Sequence, residues 1–209
     1  MWITFLACGV AAPPGPQPFD PPGPQPFDPP VPAIVAPDPL EAAFAAHPSP
    51  PPGRKAALAL AKARSYIGVP YRWEGRDTQQ FPGLDCLGLL YRSWGSVDGT
   101  PWQRYPPDPS PLVASRRLGV PVPGLDGVQR ADLDVAAMLP GDVLFLLVAN
   151  HPIPDAPLWT RDEVPYWPWH TALYAGDGKV LEASPMGDVR ESPLAYLSWD
   201  ALFVTRIAE

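Results

Sequence analysis

Two periods of hydrophobicity divide the chain after residue 53. From Arg54 to Tyr66 the apolar positions Ala56, Leu60, Ala63 and Ile67 recur at three- and four-residue steps. That spacing predicts one amphipathic helix, built largely from strong helix formers and ended by Gly68-Val-Pro70. A second helix is expected from about Leu84 to Trp94, closed by Gly95. From Pro140 the period shortens. Pro140-Gly-Asp142 reads as a turn, and Val143–Val148 is a continuous apolar run of strand length. His170–Tyr174, Lys179–Ala183 and Leu202–Ile207 are further strand candidates. Helices first and strands last predict an α+β domain, with helices packed on a mostly antiparallel sheet.

The stretches between carry weaker signals. Pro70–Gly75 is a short extended piece. Prolines recur at 101, 106, 107, 109, 111, 121 and 123, and Ser110–Leu118 and Ala131–Met138 read as short helices. Arg116 and Arg117 read as a solvated face. The connection 149–169 is long for a hairpin and holds Trp159, Tyr166, Trp167 and Trp169. These aromatics suit a lid, a sugar-stacking wall or packing on the sheet, and packing is favoured.

Composition changes the picture at the N-terminus. Half of the 34 prolines fall in residues 1–52, where Pro-Gly-Pro-Gln-Pro-Phe-Asp-Pro occurs at 14–21 and again at 22–29. Proline this dense favours extended polyproline II over helix or ladder. Residues 1–52 are therefore expected to be a signal-like segment and a disordered spacer, with the folded domain at 53–209. Ala7-Cys8-Gly9, after a short apolar run, is similar to the end of a bacterial lipoprotein signal. Cys8 is thus a candidate lipid anchor, the alternative being a stray hydrophobic N-terminus. No stretch approaches the roughly 20 apolar residues of a membrane span.

Charge and cysteine usage narrow the function. The net charge is -7 and charged residues make up 18% of the chain. This balance argues against nucleic acid, which needs clustered Lys and Arg. Two cysteines are too few for a disulfide framework, and Cys/His metal spacing is absent, so no metal or cofactor is expected.

The chemistry centres on Cys86. A turn-rich loop, Phe81-Pro-Gly-Leu-Asp85, runs into it, and the predicted helix follows. There the free N–H groups and the helix dipole favour a thiolate. A thiol nucleophile needs a base and a group that orients the base. Of the three histidines, His47 lies in the proline tract and His151 starts the long connection, while His170 begins a strand. His170 is the best-placed base. If Gly176-Asp177-Gly178 is a three-residue loop, Ala175 pairs with Lys179, Ala172 faces Glu182 and His170 faces Ser184. His170 and Glu182 then share a face as diagonal neighbours roughly 7–8 Å apart at the backbone. A two-residue loop would put them on opposite faces. Singly, each residue also fits a plain structural role: a core thiol, a satisfied strand histidine, a solvated carboxylate.

Together these segments resemble the NlpC-type cell-wall cysteine peptidases, a compact papain-like fold. The resemblance is carried by Val69-Pro-Tyr-Arg-Trp-Glu-Gly75, Asp85-Cys-Leu-Gly-Leu-Leu-Tyr91, Leu139-Pro-Gly-Asp-Val-Leu-Phe145 and His170-Thr-Ala-Leu-Tyr-Ala-Gly-Asp-Gly-Lys-Val-Leu-Glu-Ala183. It covers about residues 54–209. It implies an enzyme, in the cell envelope or secreted, that cleaves peptidoglycan stem peptides, typically between D-γ-glutamyl and a diamino acid; the chain is expected to act as a monomer. Cys86 would be the nucleophile, His170 the base and Glu182 the third catalytic residue. Tyr71 would lie by the nucleophile and help the oxyanion site, and Asp85 would bind the free amine of the stem peptide. Three positions depart from the family pattern: Leu87 stands where Ser is usual, Glu74 where Gly is usual, and Glu182 where His is most common. A carboxylate at the third position is chemically competent. The rival readings are a catalytically inactive peptidoglycan-binding module of this fold and an amidase or acyltransferase using the same residues.

Overall fold

Val143–Ala149 is apolar throughout because it runs through the middle of a sheet covered on both faces. The computed structural model describes residues 37–104, 118–149 and 156–207. Within them lie α1 (Pro39–Ala46), α2 (Arg54–Arg64) and α3 (Cys86–Asp98). The strands are β1 (Val120–Gln129), β2 (Val143–Ala149), β3 (Trp159–Arg161), β4 (Val164–Gly176), β5 (Lys179–Ala183), β6 (Val189–Pro193) and β7 (Ala201–Arg206). The strands pair antiparallel in the order β1-β7-β2-β4-β5-β6, with β3 on β4. The fold class is α+β.

Side-chain alternation along the strands divides the core in two. Val143, Phe145, Leu147, Leu173 and Leu181 face α2 and α3. Leu144, Leu146, Ala172, Tyr174 and Val180 face the other way, where Leu40 and Phe44 of α1 pack with Val135, Met138 and Leu194. The folded unit accordingly begins at Pro37, not near Gly53. Proline density misleads here because Pro39 occupies the first turn, where its missing N–H costs nothing. The sequence behind it, Leu-Glu-Ala-Ala-Phe-Ala-Ala, is helix-forming, and Asp38 caps it by accepting from Leu40 N at 2.8 Å. Cys8 and the repeats at 14–29 lie outside the described residues.

Other boundaries also moved. Helix α3 runs on past Gly95 to a left-handed Gly99 with φ 70°, the usual helix-ending conformation of glycine. Ile67 is exposed because α2 ends at Arg64, and Ala59 fills the buried stripe instead. Ala131–Met138 forms only two short 3₁₀ turns. Ser110–Pro111 through Arg117 and His151 lie outside the described residues. Three strands do not stand out in the sequence: β1, β6 and the short β3 inside the 149–169 connection. The prolines of β1 hid an edge strand, where they are tolerated, and β6 carries Arg190 and Glu191 because it forms the opposite edge.

The Pro-Gly-Asp turn carries more than a chain reversal. Asp142 is buried and takes two bonds of 2.7 Å from Arg206 of β7 and one of 2.8 Å from Leu139 N. Asp142 is fully buried, while the Arg206 side chain is 34% exposed. Asp142→Ala leaves the Leu139 N–H without its acceptor and is expected to cost about 2 kcal/mol in urea unfolding, and a cost below about 0.5 kcal/mol would refute this role.

Candidate active site

The loop ahead of α3 is built on close backbone approaches. A side-chain carbon on Gly88 would meet the carbonyl oxygen of Gly75 at 2.1 Å, so only glycine lets the loop lie against the helix's first turn. Glu74 stands at φ 58°, a left-handed conformation that glycine adopts freely. This departure from the family pattern therefore carries local strain. Leu87, the other departure in this region, is buried in the core beside α2.

Cys86 is the first residue of α3, as the loop-to-helix pattern predicts, and Asp85 is its N-cap. The Asp85 carboxylate accepts from Gly88 N at 2.6 Å and from Arg76 Nη1 at 2.5 Å. Both Arg76 and Asp85 are buried, and Arg76 also holds the Gly75 carbonyl at 2.8 Å. Both bonds to Asp85 fall on Oδ1. Arg76 itself was not recognised from the sequence, since a single arginine in a loop carries no pattern.

His170 and Glu182 share one face, and His170 Nε2 lies 2.9 Å from Glu182 Oε2. The register reached this result by a different route from the one expected. Gly176 pairs with Lys179 across a two-residue turn, Asp177-Gly178, whose φ values of 50° and 72° suit a type I′ hairpin. A bulge at Ala175 then restores the pairing of Tyr174 with Val180 and Leu173 with Leu181. The bulge adds back the residue that the shorter turn removed, so the face is conserved.

With Nε2 held by Glu182, the other ring nitrogen is left for the thiol. Cys86 lies against His170, and the His170 ring and the Thr171 backbone N–H both act on its thiol. Burial pushes the Cys86 pKa up, but the His170 bond and charge and the Thr171 N–H outweigh it, so the thiol lies below its ordinary value. Burial pushes His170 down, yet its bonds to Cys86 and Glu182 raise it to about 9. Burial raises Glu182, but bonds from His170 and Ser192 bring it below the usual carboxylate range. All three directions favour the ion-pair form of Cys86 and His170, with Glu182 behind it. Tyr71 lies close enough to Cys86 to feel its charge. Burial first, then Cys86 and Asp85, push its phenol up to about 12, so it remains an O–H donor.

A pH dependence follows with a definite sign. The raised His170 contributes stability that is full below its unfolded value of 6.5 and is lost as pH rises through about 9. The lowered Glu182 contributes stability above its unfolded value of 4.5, lost as pH falls through its lower folded value. Any reaction that uses the imidazolium as acid is expected to fall on an alkaline limb near pH 9 in a rate–pH profile. A limb near 6.5 would contradict this coupling.

The long aromatic connection mostly packs down. Trp159 lies 4.8 Å from the Tyr166 ring and meets Phe203 edge-on at 5.8 Å. Trp169 differs. It is the extra residue at a bulge in the β2–β4 ladder, is 43% exposed, and its ring centre lies 6.0 Å from that of His170. His47 ends α1, with Nδ1 3.1 Å from the Ala43 carbonyl, and takes no part in the site. Among the described residues no group of His, Cys, Asp and Glu is arranged to hold a metal ion, and no helix is long and apolar enough to cross a membrane.

Comparison with solved structures gives three related results. RipD from Mycobacterium tuberculosis, described as a non-catalytic NlpC/p60 domain protein adapted to peptidoglycan binding, aligns over 75% of this chain and 99% of its own. Its identity is 19% and its TM-score 0.46. The NlpC/p60 domain of the peptidoglycan hydrolase SagA aligns over 73% and 98%, at 22% identity and TM-score 0.46. These neighbours are NlpC/p60 domain proteins. The peptidoglycan hydrolase RipB from M. tuberculosis aligns over 74% of this chain and 65% of its own, at 25% identity and TM-score 0.47. No protein-family model and no curated protein sequence matches the chain. With TM-scores below 0.5 the likenesses are distant, and RipD is non-catalytic.

Proposed function

We propose that this chain is an NlpC/p60-type cysteine peptidase that hydrolyses peptidoglycan stem peptides, at the bond between D-γ-glutamyl and a diamino acid. The observation that carries this reading is the buried His170 held by Glu182 at 2.9 Å with Cys86 at the helix start beside its ring, the thiol lowered and the imidazole raised. A binding module has no use for a carboxylate-held histidine beside a thiol. In the proposed reaction the Cys86 thiolate attacks the scissile carbonyl. The oxyanion forms beside the Cys86 backbone N–H at the start of α3, with the Tyr71 hydroxyl as second donor. Protonated His170 gives its proton to the leaving amine and then takes one from the water that hydrolyses the thioester. Glu182 holds the imidazole and balances its charge throughout. An envelope or secreted location follows from this substrate.

Mass spectrometry of purified peptidoglycan incubated with the full chain tests the reading. New termini at D-γ-glutamyl residues are expected. Peptidoglycan that is bound but uncut would favour the inactive module, and transfer products would favour an acyltransferase.

A further inference from the structure

The Glu182 carboxylate has a second anchor. Its Oε2 meets His170, while Oε1 accepts from the Ser192 hydroxyl at 2.6 Å. Glu182 pairs with Arg190 across the β5–β6 ladder, so Arg190 and Ser192, two residues apart, face it from the edge strand. Arg190 Nε lies 3.6 Å from Oε1, and its Nη2 donates to Ser184 Oγ, which tethers the guanidinium. The side chains therefore form a row across three adjacent strands: His170 on β4, Glu182 on β5 and Ser192 with Arg190 on β6.

From this row we propose that Ser192 is a positioning residue, which pins the ionised Glu182 so that Oε2 points at His170 Nε2 and thereby sustains the nucleophilic thiolate. The inference rests on the reading of Cys86, His170 and Glu182 as catalytic. The physical reason is geometric. A glutamate has three rotatable side-chain bonds, and a carboxylate held by one hydrogen bond samples several rotamers. The Ser192 hydroxyl fixes the oxygen that His170 does not use. It also stabilises the charged form, because a donor to a carboxylate favours ionisation. The other charged or titratable groups facing the row are Cys86 and Asp85 from the start of α3, Tyr71 from the preceding loop and Arg190 from β6. Ser192 is the neutral member that adds a bond without a competing charge.

The test needs no substrate. Full-length protein is alkylated with iodoacetamide at pH 7, and modification of the Cys86 peptide is followed by mass spectrometry, which separates it from Cys8. Ser192→Val and Ser192→Thr are nearly isosteric and differ in the hydroxyl. Cys86 alkylation is expected to slow about five- to tenfold in Ser192→Val, the scale of one lost bond to a charged group, and to recover in Ser192→Thr. The protonation midpoint of Glu182, read from the His170 ring resonance by NMR, is expected to rise in Ser192→Val only. Unchanged or faster alkylation in Ser192→Val, or equal loss in both variants, overturns the positioning role. If Cys86 in the unsubstituted protein reacts no faster than free cysteine, the catalytic reading itself fails.

Discussion

Cys86→Ala is expected to abolish release of stem-peptide fragments from purified peptidoglycan, by about 10⁴-fold or more, while leaving the melting temperature nearly unchanged. The size follows from the proposed chemistry. Without sulfur no thioester forms, and His170 has no thiolate to hold its proton. Only the oxyanion donors and binding remain, and these alone give small residual rates. His170→Ala is expected to lose as much, because the two residues act as one unit. Glu182→Gln is milder, about 10²-fold to 10⁴-fold. The amide keeps an acceptor for Nε2, but it carries no charge to balance the imidazolium. Full cleavage by Cys86→Ala would sink the proposed function.

The second large effect concerns stability and lies far from the thiol in sequence. A chain cut to residues 53–209 is expected to melt at least 6–12 °C below the full chain. The segment removed covers one face of the sheet with Leu40 and Phe44, each buried, which together contribute about 3 kcal/mol or more. It also clasps the tip of the hairpin that carries His170 and Glu182. Ser49 N donates to Asp177 Oδ1 at 2.9 Å, and Asp177 N donates to Ser49 Oγ at 2.8 Å. The Ser49 and Tyr174 hydroxyls share a bond of 3.0 Å. Phe44 stacks against Tyr174 at 5.9 Å and lies so near Gly178 that a side-chain carbon there would meet its ring at 2.8 Å. Phe44→Ala isolates the packing and should lower the melting temperature by roughly 4–10 °C. A truncated chain that melts within 2 °C of the full one would show that this segment is an appendage after all.

The two effects differ in how they were written in the sequence. The first was legible because it rests on local rules. A turn-rich loop before an apolar helix puts Cys86 at a helix start, and strand periodicity puts His170 and Glu182 on one face or on opposite faces. Only two outcomes existed, and loop length was expected to choose between them. Even so, the loop was shorter than expected, and the bulge at Ala175 supplied the compensating residue. Bulges are set by cross-strand packing, which no local pattern shows.

The second effect was hidden by composition. Proline density across residues 1–52 masked one good helix, Pro39–Ala46, whose stability comes from a sheet face that closes only in the folded molecule. The same holds for β1 and β6. Their prolines and charges suit edge positions, and a strand becomes an edge only when its neighbours are placed.

By itself, then, the sequence determined the α+β class, the central strands and the triad candidates, because helix and strand periods and turn chemistry act over a few residues. The tertiary structure alone decided that Asp85 caps α3 and pairs with Arg76, that Ser192 and Arg190 reach Glu182 from β6, and that α1 belongs to the folded unit. Those contacts join residues from separate elements, and they form only when burial of a shared core brings the elements together.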